Sequence, residues 1–187
     1  MTRPLNFTVV DILPALLSKA KTQTIRQVRK RNITSCIYGY IPSRKDFEKP
    51  ATYKVGDEVK VYWNQRSKFK FFCDICGKGY NKKSWVDEEE IGRTNTCCGD
   101  QYFNKLLGEV EITDVFKIEM GKDEQGYYLK CPSGKILREN NLHDVIVLRE
   151  YATSDGFKKI QWMFNTLDKM YNLASPKTFH VYRWKWL

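Results

Sequence analysis

The stretch Gly108 to Ile118 constrains this chain most. Val110, Ile112 and Val115 are apolar, while Glu109, Glu111 and Asp114 are polar. Successive side chains of a strand point to opposite faces, so this alternation reads as a half-buried strand. Such a strand needs neighbours to satisfy its peptide groups. Val55-Gly56-Asp57 reads as a tight turn feeding a strand from Glu58 to Trp63, and Phe69 to Cys73 reads as a further paired strand. Gly126 to Leu137 reads as a hairpin turning at Pro132-Ser133-Gly134. At the end, Phe179, Val181, Arg183 and Lys185 alternate with His180, Tyr182, Trp184 and Trp186. Short strands of this antiparallel kind predict an α+β fold, a small β-barrel flanked by helices.

The helices are read from a different period. Val9, Val10, Leu13, Leu16 and Leu17 predict a helix over Asn6 to Ala20, with Pro14 kinking it or marking a start just before it. Leu142 to Thr153 reads as a second helix. Phe157 to Tyr171 is the clearest, with Ile160, Met163, Phe164, Leu167, Met170 and Tyr171 on one apolar face. At 187 residues the chain fits one domain, 1–187. No apolar run approaches the roughly 18 residues of a membrane span, and no signal-peptide pattern opens the chain. A cytoplasmic, intracellular protein without membrane contact is expected.

Between the first helix and the sheet lies Lys21-Thr22-Gln23-Thr24-Ile25-Arg26. A lysine, hydroxyls and an arginine this close suggest a cleft, with Asp155 as an acid brought to it from the other end. In a regular strand Lys21 and Thr24 would point to opposite faces. Both serve one site only if Lys21 sits at the helix-to-strand corner or a bulge intervenes.

Charge indicates what enters the cleft. Thirty-two Lys and Arg face 22 Asp and Glu, a net charge of +10. Such an excess favours polyanions. Residues 27–54 form a long basic stretch in which Arg29, Lys30, Arg31 and Arg44 are interleaved with Tyr38 and Tyr40. Together with Lys21 and Arg26 these are the expected nucleic-acid contacts, since basic residues beside aromatic platforms suit single strands. RNA is the expected partner, with DNA as an alternative.

Intracellular thiols stay reduced, so the cysteines read first as metal ligands. Cys73-Asp-Ile-Cys76-Gly resembles half a zinc knuckle: its spacing lets both thiolates face one metal. Cys97 and Cys98 follow after 20 intervening residues. These thiolates would complete a closed structural zinc site. If the adjacent pair does not both ligate, Asp100, Cys131 or His143 completes the set.

In its order of pieces the chain resembles the ASCH domain family of the PUA-like β-barrel superfamily. The resemblance rests on the apolar N-terminal segment, Lys21 to Arg26, Val55-Gly56-Asp57, the strand from Gly108 to Val115, Ala152-Thr-Ser-Asp155-Gly156-Phe157 and the aromatic terminal strand. Against the smallest members, residues 27–54 and the Cys-rich stretch 71–105 look like insertions. The resemblance implies an RNA-associated module. Some small members are N4-acetylcytidine amidohydrolases, and others are described as ribonucleases. In the amidohydrolases the motif's lysine and second threonine act with a glutamate before the last helix. Those roles fall on Lys21, Thr24 and Asp155, where aspartate replaces glutamate and shortens the reach by one methylene.

Two readings follow. One is an RNA-binding protein whose basic cleft holds its ligand without chemistry. The other is a hydrolase in which Lys21 is the base for Thr24, Asp155 orients the lysine, and Arg26 offsets negative charge. Each residue also has an ordinary reading: Lys21 at a helix C-terminus, Thr24 as a strand threonine, and Asp155 as the N-cap of the helix beginning near Phe157.

Overall fold

In chain order the elements are β1 (Leu5–Phe7), a 3-10 turn (Val10–Ile12), α1 (Leu13–Leu17), β2 (Gln23–Gln27), β3 (Glu58–Trp63), β4 (Phe71–Cys73), β5 (Gly79–Tyr80), β6 (Tyr102–Asn104), β7 (Leu106–Asp123), β8 (Gly126–Lys130), β9 (Ile136–Arg138), α2 (Leu142–Ser154), α3 (Ile160–Tyr171) and β10 (Lys177–Trp186). They come from a computed structural model that describes residues 3–28, 49–69, 71–80 and 102–187.

The predicted strand at Gly108 is the spine of the fold. β7 pairs with β10 along one edge, and along the other with β3 and then β8. The seven-stranded sheet runs β1-β3-β7-β10-β2, with β8 and β9 as a branch. Among the described residues only the β1–β3 pairing is parallel, so the sheet is mixed. Register explains an irregularity in the sequence. Ile112 pairs with Trp184 and Asp114 with Arg183, so Thr113 is an extra residue on β7. This bulge flips the parity and returns Val115 to the face of Val110 and Ile112.

The expected barrel is corrected. Among the described residues no ladder joins β1 to β2, and the sheet stays open. Three residues of β1 run parallel to β3 before the chain turns away into the 3-10 turn, leaving little strand to pair. A side chain spans the gap instead: Arg26 on β2 donates from Nη2 to the Asn6 carbonyl on β1 at 3.1 Å.

The N-terminal helix is also corrected. Asn6 to Ala20 divides into β1, the 3-10 turn and α1. Leu5 and Phe7 are buried on either side of a half-buried Asn6, and all three pair with β3. Pro14 lies in the first turn of α1, where its missing N–H costs nothing, so the α-helix begins at Leu13.

The C-terminal helices pack on the sheet through Tyr127, stacked on Phe164 at 5.1 Å, and Tyr171, edge-on to Phe179 at 5.4 Å. Asp155 does not cap the last helix, which begins at Ile160 after Lys159. It ends the preceding one. Gly156 N–H bonds the Thr153 carbonyl at 2.9 Å and Phe157 N–H the Ala152 carbonyl at 2.8 Å. With Gly156 at φ +89 this is a left-handed glycine stop of the Schellman type. β4 pairs with β5 and β6 in a separate three-stranded sheet. No helix among the described residues is long and apolar enough to cross a membrane.

Candidate functional site

The chain enters the site through the corner between α1 and β2. Lys21 N–H bonds the Ala15 carbonyl at 2.9 Å, and Thr22 N–H bonds the Ser154 carbonyl at 3.0 Å. Two indoles fix the corner from the far end of the chain: Trp184 Nε1 and Trp186 Nε1 both donate to the Lys21 carbonyl, at 3.1 and 2.9 Å. Lys21 therefore stands before the strand, as a shared site with Thr24 requires.

From that corner the Lys21 ammonium reaches the end of α2. Nζ donates both to the Asp155 carboxylate and to the Asp155 carbonyl. The pair is buried, with side-chain exposures of 0% and 7%. Phe7 and Trp184 place their rings 5.2 and 5.8 Å from Nζ. Burial among these groups pushes the Lys21 amine below its ordinary 10.5, and the Asp155 carboxylate only partly opposes the shift. Burial likewise pushes Asp155 above its ordinary 3.8, against the pull of Lys21 and Arg26. Desolvation thus drives both groups toward their neutral forms. The negative end of the α2 dipole favours the lysine cation.

Thr24 and Arg26 share a face of β2, opposite Tyr182 and His180 of β10. Thr24 is buried. Arg26 lies over Phe7 at 5.5 Å, and its Nε is buried with no hydrogen-bond partner among the described residues. Lys21, Thr24, Arg26 and Asp155 all line one cavity of about 110 Å³, roofed by Leu167 and Tyr171 of α3. This is well below the roughly 300–1,000 Å³ of a site for a drug-sized ligand. It has room for an acyl or amide group.

Other expected site residues lie elsewhere. Arg29, Lys30, Arg31, Tyr38, Tyr40, Arg44, Cys97 and Cys98 fall outside the described residues. Lys21 itself is buried against Asp155 rather than offered on the surface. Cys73 and Cys76 flank a tight turn in which Gly77 N–H bonds the Cys73 carbonyl at 3.0 Å and Gly77 adopts φ +66. That turn suits two thiolates facing one metal. Among the described residues no group of three His, Cys, Asp or Glu side chains is placed to hold a metal.

The sequence reading missed the wall contributed by β1. The helical period over Asn6 to Ala20 masks it, although Leu5-Asn6-Phe7 already carries a strand's alternation. It also missed the indole clamp, whose only signal was the even spacing of Trp184 and Trp186. Comparison with family models, curated proteins and solved structures finds no match to this chain.

Proposed function

We propose that the chain is an ASCH-type protein of PUA-like descent, acting inside the cell on nucleic-acid components. In this reading its centre hydrolyses an acyl amide on a nucleobase, with N4-acetylcytidine as the reference substrate. One observation carries the proposal: a buried Lys21–Asp155 pair, pushed toward neutrality, lines a cavity too small for a polymer and shares it with Thr24. A perturbed lysine in a cleft is the arrangement expected of a catalytic base.

The chemistry follows from these residues. Lys21, as the neutral amine, takes the proton of the Thr24 hydroxyl. Thr24 Oγ1 bonds to the acyl carbon, and the Arg26 guanidinium offsets the negative charge on the acyl oxygen. The C–N bond then breaks, and the exocyclic amine leaves with the proton returned by Lys21. Water hydrolyses the threonine ester, releasing acetate and restoring the hydroxyl. Asp155 holds Nζ in place throughout.

A second reading, RNA binding without turnover, is favoured by the net charge of +10. It requires affinity that falls steeply with salt. We also propose a structural zinc held by Cys73 and Cys76 with ligands from Cys97 and Cys98, which would tie the small sheet to the segment that connects β5 and β6 in sequence.

The test is acetate release from N4-acetylcytidine, free and within a short RNA. Turnover that disappears in Thr24→Ala and Lys21→Ala is the expected result. No acetate above a control without enzyme, with salt-sensitive RNA retention, would replace the hydrolase by the binding module.

A further inference from the structure

A second cavity, of about 380 Å³, abuts the first; Arg26 and Tyr171 line both. Its chemistry differs. Arg3, Lys49 and Arg66 join Arg26 in its wall, and no carboxylate among the described residues lines it. Arg3, Lys49 and Arg66 are exposed, so their charge is available to a ligand from solvent. Tyr53 and Tyr182 form its floor, edge-on to each other at 5.1 Å. That floor is rigid: Tyr53 Oη donates to the Pro4 carbonyl at 3.2 Å, and Thr52 N–H donates to Tyr182 Oη at 2.9 Å.

Guanidinium groups converging on a concave space without a counter-charge suit a phosphate, which accepts their paired donors. The aromatic floor suits the flat or apolar part of the same ligand. Arg26 belongs to both cavities and is already held by Asn6. It therefore fixes the distance between what each cavity holds.

We propose that the larger cavity is a phosphate subsite, so that the ligand is a nucleotide and not a bare nucleoside. The phosphate lies among Arg3, Lys49 and Arg66, and the acylated base reaches past Arg26 toward Lys21 and Thr24. The assignment of the base rests on the hydrolase reading above; the phosphate assignment rests on the cavity. The phosphate comes either from a free nucleotide or from an RNA chain, and both present the same group.

The experiment is titration calorimetry of the full chain with cytidine, cytidine 5′-monophosphate, cytidine 3′-monophosphate, inorganic phosphate and the trinucleotide CpCpC. One of the phosphorylated ligands should bind about tenfold to a hundredfold more tightly than cytidine. Arg3→Gln with Arg66→Gln should bring it back to the level of cytidine while leaving acetate release from N4-acetylcytidine unchanged. A preference for a monophosphate assigns the site to a nucleotide, and a preference for the trinucleotide assigns it to a chain. Equal affinity for cytidine and every phosphorylated ligand, no binding by any of them, inorganic phosphate as the tightest ligand, or an advantage that survives in the double variant overturns the subsite. Binding is read without turnover. A retained phosphate advantage with no acetate release therefore removes the hydrolase reading alone.

Discussion

Lys21→Met is the most informative perturbation of this fold. Met preserves most of the volume of a side chain that is 0% exposed, but it leaves the Asp155 carboxyl buried without its cation. Breaking one side of a buried pair costs about 3–5 kcal/mol. Whole domains are stable by only about 5–15 kcal/mol. The expected fall in melting temperature is about 6–20 °C for a chain of this size. The loss should also depend on pH in one direction. Losing Lys21 removes the largest influence that lowers the Asp155 pKa, which burial already holds above 3.8. Between 3.8 and that raised value the folded chain keeps a proton that the unfolded chain releases, so stability falls as pH rises through the window. The variant should therefore regain stability as pH is lowered from above that raised value to below it. Lys21→Met combined with Asp155→Leu removes both charges and should lie within about 1 kcal/mol of the parent. Urea titrations at both pH values read these differences as shifts in midpoint at constant slope. A loss below about 1 kcal/mol in the single variant, or one that does not change with pH, refutes a desolvated pair.

Two further predictions concern the scaffold. Gly156→Ala should cost about 1–2 kcal/mol for the left-handed backbone alone. A Cβ there would also come within 3.1 Å of Ile12 and 3.2 Å of Ala15, so the loss in a thermal melt should exceed that figure. Purified, unchelated protein should carry stoichiometric zinc by elemental analysis. Cys73→Ser should lose it and loosen the small sheet, which proteolysis would detect.

The strand assignments were legible because burial on one face writes a period of two into the sequence. Glu58 to Trp63 needed no tertiary information. Neither did the hairpin at Pro132-Ser133-Gly134 or the terminal strand from Phe179. Lys21, Thr24 and Asp155 were legible as residue types in a spacing, and the strand period of two required that Lys21 occupy a corner or that a bulge intervene. The first helix was misread because Val9, Val10, Leu13, Leu16 and Leu17 fit a helical period. What limits that helix is Pro14 and the pairing of Leu5-Asn6-Phe7 with a strand more than fifty residues away. Only the alternative reading of Asp155 as an N-cap fails, because the chain stops the preceding helix at Gly156 and starts the last one after Lys159.

Taken alone, then, the sequence determined the alternating strands, the amphipathic last helix, the positive charge and the reactive residue types. These follow from local period and composition, which no partner can change. Tertiary structure alone decided that the sheet stays open with Arg26 bridging its ends. It also decided that Thr113 bulges, and that Lys21 meets the end of α2 under two indoles. Each of these depends on segments far apart in the chain, and the burial that shifts Lys21 and Asp155 exists only once those segments have packed together.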